Sequence, residues 1–131
     1  MKISIIIPTY NEAENIGQVL DYLWENSDGE NIKEVIISDG ISEDNTLEIA
    51  RSKGAHIVDQ NNTGRAKQMN AGAREASGDI FYFLHADSYP PKNYDREILH
   101  YIDKGYKAGS FRMKWDMDHW LLNFFAWWTR F

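Results

Sequence analysis

The chain has 131 residues, 43% of them hydrophobic, and its 14 basic and 20 acidic side chains give a formal net charge of −6. This length suits one domain that buries about two thirds of its unfolded surface. Cysteine is absent, which excludes disulfides and thiolate metal sites, and the acidic balance argues against nucleic acid as a partner. The sequence carries no secretory leader and no apolar run long enough to span a bilayer, so we expect a cytoplasmic protein.

Apolar runs that predict buried strands alternate with amphipathic patterns that predict helices. The first helix is expected to begin with a capping box formed by Asn11 and Glu14. Regular alternation with short connections predicts an α/β fold that is Rossmann-like, with a mainly parallel sheet and helices on both faces. The strands are predicted at 2–7, 32–38, 55–58, 80–84 and 106–115, and the helices at 11–27, 42–54, 65–76 and 94–105.

The helix predicted over 65–76 is rich in small side chains. Ala66, Met69, Asn70 and Ala73 share one side of it, and small residues there would let the helix lie close against a sheet. We therefore predict that this side faces the sheet.

Polar residues follow three of the predicted strands, at 8–12 after the first, 38–40 after the second and 85–88 after the fourth. Right-handed crossovers place the carboxyl ends of parallel strands at one edge of a sheet, where doubly wound folds bind their ligands. The first and fourth strands become neighbours where the strand order reverses. We therefore expect the three loops to surround one crevice.

The first two loops have both a chemical and a purely structural interpretation. Tyr10 offers a ring for stacking on a base, beside a helix N-terminus that attracts anions. The alternative is that residues 8–12 only end a strand and cap a helix. Asp39 suits hydrogen bonds from a ribose or a base N–H, or it only bonds the backbone of its own turn.

The third loop and the helix at 65–76 offer charged groups. Asp87 suits a hard divalent cation that bridges phosphate oxygens, and His85 suits Mn²⁺ better than Mg²⁺, although a single histidine is more often packed than ligating. Arg65 and Lys67 suit contact with a diphosphate, or they are solvated surface cations. No G-x-G-x-x-G or G-x-x-x-x-G-K-[ST] motif is present, which argues against a dehydrogenase and a P-loop NTPase.

Four segments carry the polar residues that follow the strands. They are 5–12 (IIIPTYNE), 36–46 (IISDGISEDNT), 64–72 (GRAKQMNAG) and 84–88 (LHADS). In this order they resemble the motifs of family-2 glycosyltransferases, which have the GT-A fold. The resemblance spans roughly residues 3–88 and implies one nucleotide-sugar-binding domain over 1–131, equivalent to the first half of such a transferase.

The resemblance implies roles for individual side chains. Asp39 would bond the base, typically uracil, and Arg65 would lie beside the base and the phosphates. Asp87 would bind a divalent cation, Mn²⁺ or Mg²⁺, that holds the diphosphate. His85 stands where the family has the first acidic residue of its D-x-D motif. Either His85 is a second ligand of the cation, or Asp87 is the only ligand of the pair. The nucleotide pocket would be lined by Pro8, Thr9, Tyr10 and Glu12.

The resemblance implies transfer of a sugar from a nucleoside-diphosphate donor, with UDP favoured, to an unknown acceptor by a metal-assisted inverting displacement. Family members generally continue beyond this length with the acceptor site and the general base, so we assign no catalytic base. Asp116 and Asp118 do not match the base motif. The alternative function is a truncated or degenerate module that binds a nucleotide or a partner without catalysis.

Four of the five tryptophans lie at or after Trp115. The apolar residues from Trp120 to Trp128 recur with a helical period, and we predict an aromatic C-terminal helix over 117–131. One interpretation packs this helix on the sheet as part of the core. The others bury it in a homodimer or against a missing C-terminal half, or bring it to the inner face of a membrane as a peripheral contact.

Overall fold

The computed structural model describes residues 1–58, 63–114 and 121–129, with side chains described over 1–58 and 63–111. Strands and helices alternate through the described residues, and a short 3₁₀ turn at Gly29–Asn31 precedes the second strand. The strands are β1 (Ile3–Thr9), β2 (Ile32–Asp39), β3 (His56–Val58), β4 (Ile80–Phe83), β5 (Ala108–Lys114) and β6 (Leu121–Thr129). The helices are α1 (Ile16–Glu25), α2 (Thr46–Ser52), α3 (Arg65–Glu75) and α4 (Tyr94–Asp103).

The strands form one sheet in the order β3-β2-β1-β4-β6-β5. β1 pairs in parallel with β2 and with β4, and β2 pairs in parallel with β3. β6 is antiparallel to both of its neighbours, β4 and β5. The predicted α/β class with a mainly parallel sheet is therefore confirmed, and β1 and β4 are neighbours as expected.

Both faces of the sheet are covered by helices. Ile3, Ile5 and Ile7 pack in one cluster with apolar residues of α1, α2 and α4. Ile6 points the other way and packs with Ile36 near α3. These isoleucines have no exposed surface, and burial of each side chain contributes ~1.5–3 kcal/mol. The central strand β1 therefore holds the two layers of helices together.

The first two helices begin later than predicted. Asn11 has a φ of 50°, a left-handed conformation that asparagine tolerates in loops, and α1 begins only at Ile16. The predicted capping box of Asn11 and Glu14 is therefore wrong. The helix predicted to open at 42–45 begins at Thr46 instead. In the segments before both helices, polar side chains hydrogen-bond to the other loop, as when Asn11 accepts from the backbone N–H of Glu43 and Ser42 accepts from that of Asn11.

The side of α3 that faces the sheet also differs from the prediction. Gln68 and Gly72, four residues apart, are buried, whereas Ala66 and Asn70 are exposed. A side chain on Gly72 would place its Cβ 2.5 Å from Cγ2 of Ile6. The closest approach of helix and sheet is therefore at Gly72, while Ala73 of the predicted side also packs against the cluster that contains Ile6.

The predicted C-terminal helix over 117–131 is wrong where the structure describes it, because residues 121–129 form strand β6. An apolar run with no polar side is equally typical of a strand covered on both faces, so the helical period was not decisive. Residues 117–120 and 130–131 lie outside the described residues. None of the helices in the described ranges is long and apolar enough to cross a membrane.

Candidate functional site

The carboxyl ends of β1, β2 and β4 meet at one edge of the sheet. Thr9 and Asp39 are partners in the register of β1 and β2. The backbone N–H of Leu84, just beyond β4, donates to the carbonyl of Ile6 at 3.0 Å. The three polar loops that follow these strands therefore start side by side, as expected from the strand order.

Asp39 is the centre of a buried hydrogen-bond network at this edge. Its Oδ1 accepts from Thr9 Oγ1 at 2.6 Å and from Ser42 Oγ at 2.6 Å. Its Oδ2 accepts from the backbone N–H of Ser42 at 2.7 Å. Asp39 is 5% exposed and Thr9 is 2% exposed, and such donors are what a buried carboxylate needs to remain in place. The carboxylate ties the end of β1 to the loop after β2.

The loops after β1 and β2 are joined by further side-chain to backbone bonds. In each bond, a side-chain oxygen from one segment accepts from a backbone N–H of the other. Three backbone N–H groups after β1 donate to side chains after β2: Asn11 to Ser42 Oγ (2.8 Å), Glu12 to Thr46 Oγ1 (2.9 Å) and Ala13 to Asp44 Oδ2 (3.2 Å). In the opposite direction, the backbone N–H of Glu43 donates to Asn11 Oδ1 at 2.8 Å. The polar residues of the two motifs therefore build one rigid unit.

Asp44 remains charged within this unit. The hydroxyl of Thr46 donates to its Oδ1 in a short hydrogen bond, and the backbone N–H groups of Thr46 and Ala13 donate as well. The hydroxyl of Thr46 is the main cause that holds the pKa of the Asp44 carboxyl below its usual value. Desolvation acts in the opposite direction, and the backbone N–H groups add to the lowering.

A cavity of about 380 Å³ opens beside the network. This volume is in the range of pockets that hold small organic ligands. Tyr10 is the one predicted site residue in its lining, and it is 55% exposed. The Glu12 side chain turns toward α1, where its Oε2 accepts from Asn15 Nδ2 at 3.1 Å. The cavity is lined by Tyr10, Gly40, Thr63, Gly64 and Gln68.

Gln68 is a site residue that the sequence prediction missed. Its Nε2 donates to the carbonyl oxygens of Thr9 at 2.8 Å and Ser38 at 2.9 Å. These bonds fasten the first turn of α3 to the ends of β1 and β2. The available signal was a polar residue one helical turn before Gly72, on the side that packs against the sheet.

Charged and titratable groups cluster at the end of β4. Burial lowers the pKa of His85, and the neighbouring Arg65 cation lowers it further, while the Asp87 carboxylate acts in the opposite direction. The imidazole is therefore mainly neutral at pH 7 and able to act as a metal ligand. Asp87 is exposed, and Ser88 Oγ donates to its Oδ1 at 3.3 Å. The structure thus brings Arg65, His85 and Asp87 into one region.

Asp87 and His85 fit a cation only if the cation takes its remaining ligands from water or from a bound phosphate. Within the described ranges, no group of three or more histidine or acidic side chains could hold a metal ion. Asp87 and His85 supply at most one carboxylate and one imidazole. Mg²⁺ and similar hard cations keep several waters and bind phosphate oxygens, so this pair suits a cation shared with a diphosphate.

Comparison with known proteins identifies related sequences. The profile described as Glycosyl transferase family 2 matches residues 4–123. The chain is 33% identical over 116 residues to the dolichol-phosphate mannosyltransferase of Pyrococcus furiosus, a match that covers 84% of this chain and 31% of that protein. It is 34% identical over 94 residues to glycosyltransferase AglE of Haloferax volcanii, covering 67% and 31% respectively. The chain thus spans about a third of the length of these relatives.

Solved structures share the fold. TarS of Staphylococcus aureus in complex with UDP is similar with a TM-score of 0.75 at 28% identity, covering 87% of this chain and 36% of that one. The mannosyltransferase PcManGT of Pyrobaculum calidifontis, in complex with GDP-Man and Mn²⁺, has a TM-score of 0.79 at 23% identity, covering 98% and 44%. At 23% identity, the similarity to PcManGT shows a common fold and no more.

Proposed function

The chain belongs to glycosyl transferase family 2, and from this premise we propose that it binds a nucleoside-diphosphate sugar and transfers the sugar to an acceptor hydroxyl. The observation that carries the proposal is the convergence at one sheet edge of three features. They are the Asp39 network, the cavity beside Tyr10 and the cluster of Arg65, His85 and Asp87. The first two features would hold the nucleoside, and the charged cluster would hold the diphosphate and the cation.

The nucleoside would occupy the cavity. Tyr10 is exposed and lines it, so its ring is available for stacking on a base. Asp39 would accept a hydrogen bond from the base, while Pro8, Thr9 and Glu12 hold the loop that carries Tyr10. Arg65 begins α3 beside the lining residue Gly64, and its cation and the free N–H groups of the first helical turn would attract the diphosphate.

Asp87 would hold a divalent cation, with His85 as an alternative second ligand. When bound, the cation would stabilise the negative charge that develops on the departing diphosphate. In the relatives, Mn²⁺ is present with GDP-Man in PcManGT and with UDP in a glucosyl-3-phosphoglycerate synthase of Mycobacterium tuberculosis. The exposed carboxylate of Asp87 would hold this ion, which would supply positive charge to the phosphates.

The reaction we propose is a single displacement with inversion. The acceptor oxygen bonds to the anomeric carbon as the bond from that carbon to the diphosphate oxygen breaks, and the nucleoside diphosphate leaves with the electron pair. The hydroxyl proton passes to a general base. We assign that base to no residue of the described ranges, and Asp116 and Asp118 lie outside them. UDP is the favoured donor nucleotide, and UDP and UDP-GlcNAc are ligands of TarS.

Calorimetric titration of the full chain with UDP and with GDP, in Mn²⁺, in Mg²⁺ and in EDTA, tests the proposal. We expect metal-dependent binding that Asp87→Asn weakens by about tenfold or more, since it removes a carboxylate ligand. Asp103→Asn, which removes an exposed aspartate at the end of α4, is the matched control and should leave binding unchanged. Absence of nucleotide binding under all metal conditions would overturn the proposed function.

The second candidate is a module that binds the nucleotide without transferring a sugar, and His85 in place of an acidic residue is the observation that favours it. Assays of sugar transfer and of donor hydrolysis with UDP-sugars separate the two functions. Turnover that responds to Asp87→Asn supports the enzyme. Nucleotide binding with no turnover of any donor, also after His85→Asp, supports the binding module.

A further inference from the structure

The segment 85–93 carries Asp87 and lies between β4 and α4, outside the helices and strands. Burial alternates along its first half. Ala86, Ser88 and Pro90 are buried, whereas Asp87 is exposed, and Ala86 packs in the apolar cluster around β1. The buried residues therefore fix the course of the segment and leave the carboxylate of Asp87 accessible to a ligand.

Two hydrogen bonds hold the chain on either side of Asp87. On the amino-terminal side, the backbone N–H of Leu84 donates to the carbonyl of Ile6 at 3.0 Å. On the carboxyl-terminal side, the hydroxyl of Tyr22 in α1 donates to the carbonyl of Pro90 at 2.6 Å. Burial raises the pKa of Tyr22 above its usual value of 10.0, so the hydroxyl keeps the proton that it donates. Tyr22 therefore ties the segment to α1.

The ring of Tyr22 supports the same segment. Its centroid lies 5.1 Å from that of Tyr89, with an angle of 79° between the ring planes, which is the edge-to-face arrangement that aromatic pairs favour. The hydroxyl of Tyr89 also donates to Gln18 Oε1 at a longer distance of 3.4 Å. Gln18 and Tyr22 are four residues apart and share one side of α1. This side of the helix therefore holds both Tyr89 and Pro90.

Consecutive prolines make this attachment stiff. Pro90 and Pro91 each fix their own φ, and Tyr89 and Pro90, which each precede a proline, favour extended conformations. Few backbone torsions are therefore free between Pro90 and Asp87, three residues earlier. A shift of the Pro90 carbonyl would accordingly displace the carboxylate of Asp87.

The helix α1 also adjoins the loop that carries Tyr10. The backbone N–H groups of Asn15 and Ile16 donate to the carbonyl of Glu12 at 3.0 and 2.9 Å, so the start of the helix is tied to the loop after β1. One helix thus supports the loop proposed to hold the nucleoside and, through Tyr22, the loop proposed to hold the cation. A cation shared with the diphosphate needs both loops in a fixed relation.

We propose that Tyr22 is a positioning residue for the divalent cation, because its hydroxyl holds Pro90 and thereby the loop in which Asp87 binds the ion. This inference rests on the proposed function and deepens it. Without the hydroxyl, the buried carbonyl of Pro90 loses its donor, which favours conformations in which the segment has moved. The apparent affinity for the cation then falls in proportion to the fraction of molecules that keep the binding conformation.

Calorimetric titration of the full chain with UDP, repeated at a series of Mn²⁺ concentrations, tests the inference without an activity assay. Tyr22→Phe removes the hydroxyl and keeps the ring beside Tyr89. We expect the Mn²⁺ concentration that gives half of the metal-dependent gain in UDP affinity to rise about 2- to 10-fold, the range that one hydrogen bond supplies. An unchanged Mn²⁺ requirement rules out the role assigned to Tyr22.

Tyr94→Phe is the matched control. The hydroxyl of Tyr94 donates to the carbonyl of Leu23 in α1 at 2.8 Å, so this variant also removes a bond from a tyrosine to a backbone carbonyl, but it leaves the bond to Pro90 in place. It should keep the parent's Mn²⁺ requirement even where its free energy of unfolding falls. An equal rise in Tyr22→Phe and Tyr94→Phe would reflect a general loss of stability and would contradict the inference.

A double variant shows whether Tyr22 acts through Asp87. In the Asp87→Asn background, Tyr22→Phe should cause no further loss of UDP affinity at a given Mn²⁺ concentration, whereas independent effects add. Additive losses contradict the positioning role. If the parent chain binds no nucleotide, or binds it without metal dependence, the proposed function or its cation fails and this inference falls with it. If the parent shows metal dependence and Tyr22→Phe keeps it unchanged, only this inference fails.

Discussion

At the scale of single residues, the acidic side chains at the sheet edge act through hydrogen bonds as well as through charge. Asp39 and Asp44 together accept bonds from both the loop after β1 and the loop after β2. Both aspartates lie in segment 36–46, and the resemblance of this segment to the family's second motif implies that Asp39 binds the base. Their first effect is to hold the loop that presents Tyr10, and any contact with a ligand depends on that support.

We predict that the contribution of Asp44 to stability depends on pH. Its pKa is lowered in the folded chain from the usual value of 3.8, so its contribution is present at pH values above about 3.8 and is lost as the pH falls through the lowered pKa. The difference in free energy of unfolding between the parent and Asp44→Asn should therefore be full at pH 7 and shrink below about pH 4. Urea denaturation from pH 7 to pH 3 measures it.

Glu43→Gln is the control for this prediction, because it removes a neighbouring negative charge and none of the bonds to Asp44. Its difference from the parent should not follow the same pH course. A constant difference between Asp44→Asn and the parent over the whole range would contradict the role assigned to the ionised carboxylate.

At the scale of elements, the position of α3 connects the core with the candidate site. Gly72 allows the helix to approach Ile6, and one turn earlier Gln68 bonds the carbonyls of Thr9 and Ser38. Arg65 stands at the start of the same helix. A shift of α3 away from the sheet would therefore disturb the cavity as well as the packing.

We predict that Gly72→Ala lowers the free energy of unfolding by ~1–3 kcal/mol, the usual cost of overpacking a close contact. The added Cβ would lie 2.5 Å from Cγ2 of the fully buried Ile6. Gly29→Ala is the matched control, because a Cβ at Gly29 meets nothing within 4 Å. Chemical denaturation compares the two variants, and equal midpoints would show that α3 does not need this glycine.

At the scale of the whole molecule, the antiparallel strand β6 joins β5 to the parallel part of the sheet. It lies between β4 and β5, with Phe81 opposite Trp128 and Ser110 opposite Ala126 in the register. The apolar tail that we expected to form a helix or an interface thus belongs to the sheet over 121–129. Its contact with a second copy, a missing C-terminal half or a membrane stays a prediction, as do a cytoplasmic location and a single domain over 1–131.

We predict that deletion of 117–131 destabilises the protein instead of releasing a folded monomer. The deletion removes β6 and leaves β4 and β5 without their common partner, and exposed strand edges favour aggregation. Light scattering and circular dichroism should detect aggregation and loss of cooperative unfolding. A chain ending at Thr129 keeps β6 and serves as the control. A deletion variant that stays monomeric with unchanged stability would contradict this prediction.

Sequence reasoning succeeded where a local pattern has one structural outcome. The short, β-branched apolar runs of β1 and β2 favour strands that are covered on both faces, and their alternation with helices indicates the α/β class. It failed at helix starts and at the tail, because Asn11 can cap a helix or bond Glu43 in another loop, and an apolar run can be a helix or a covered strand.

The sequence by itself determined the alternation of strands and helices, the family motifs and the placement of polar residues after strands. These features depend on residues close together in the chain. Only the tertiary structure decided that Gln68 faces the sheet with its amide held by Thr9 and Ser38, that Gly72 rests on Ile6, and that β6 lies between β4 and β5. Each of these depends on partners far apart in the sequence, whose meeting is set by packing and strand order.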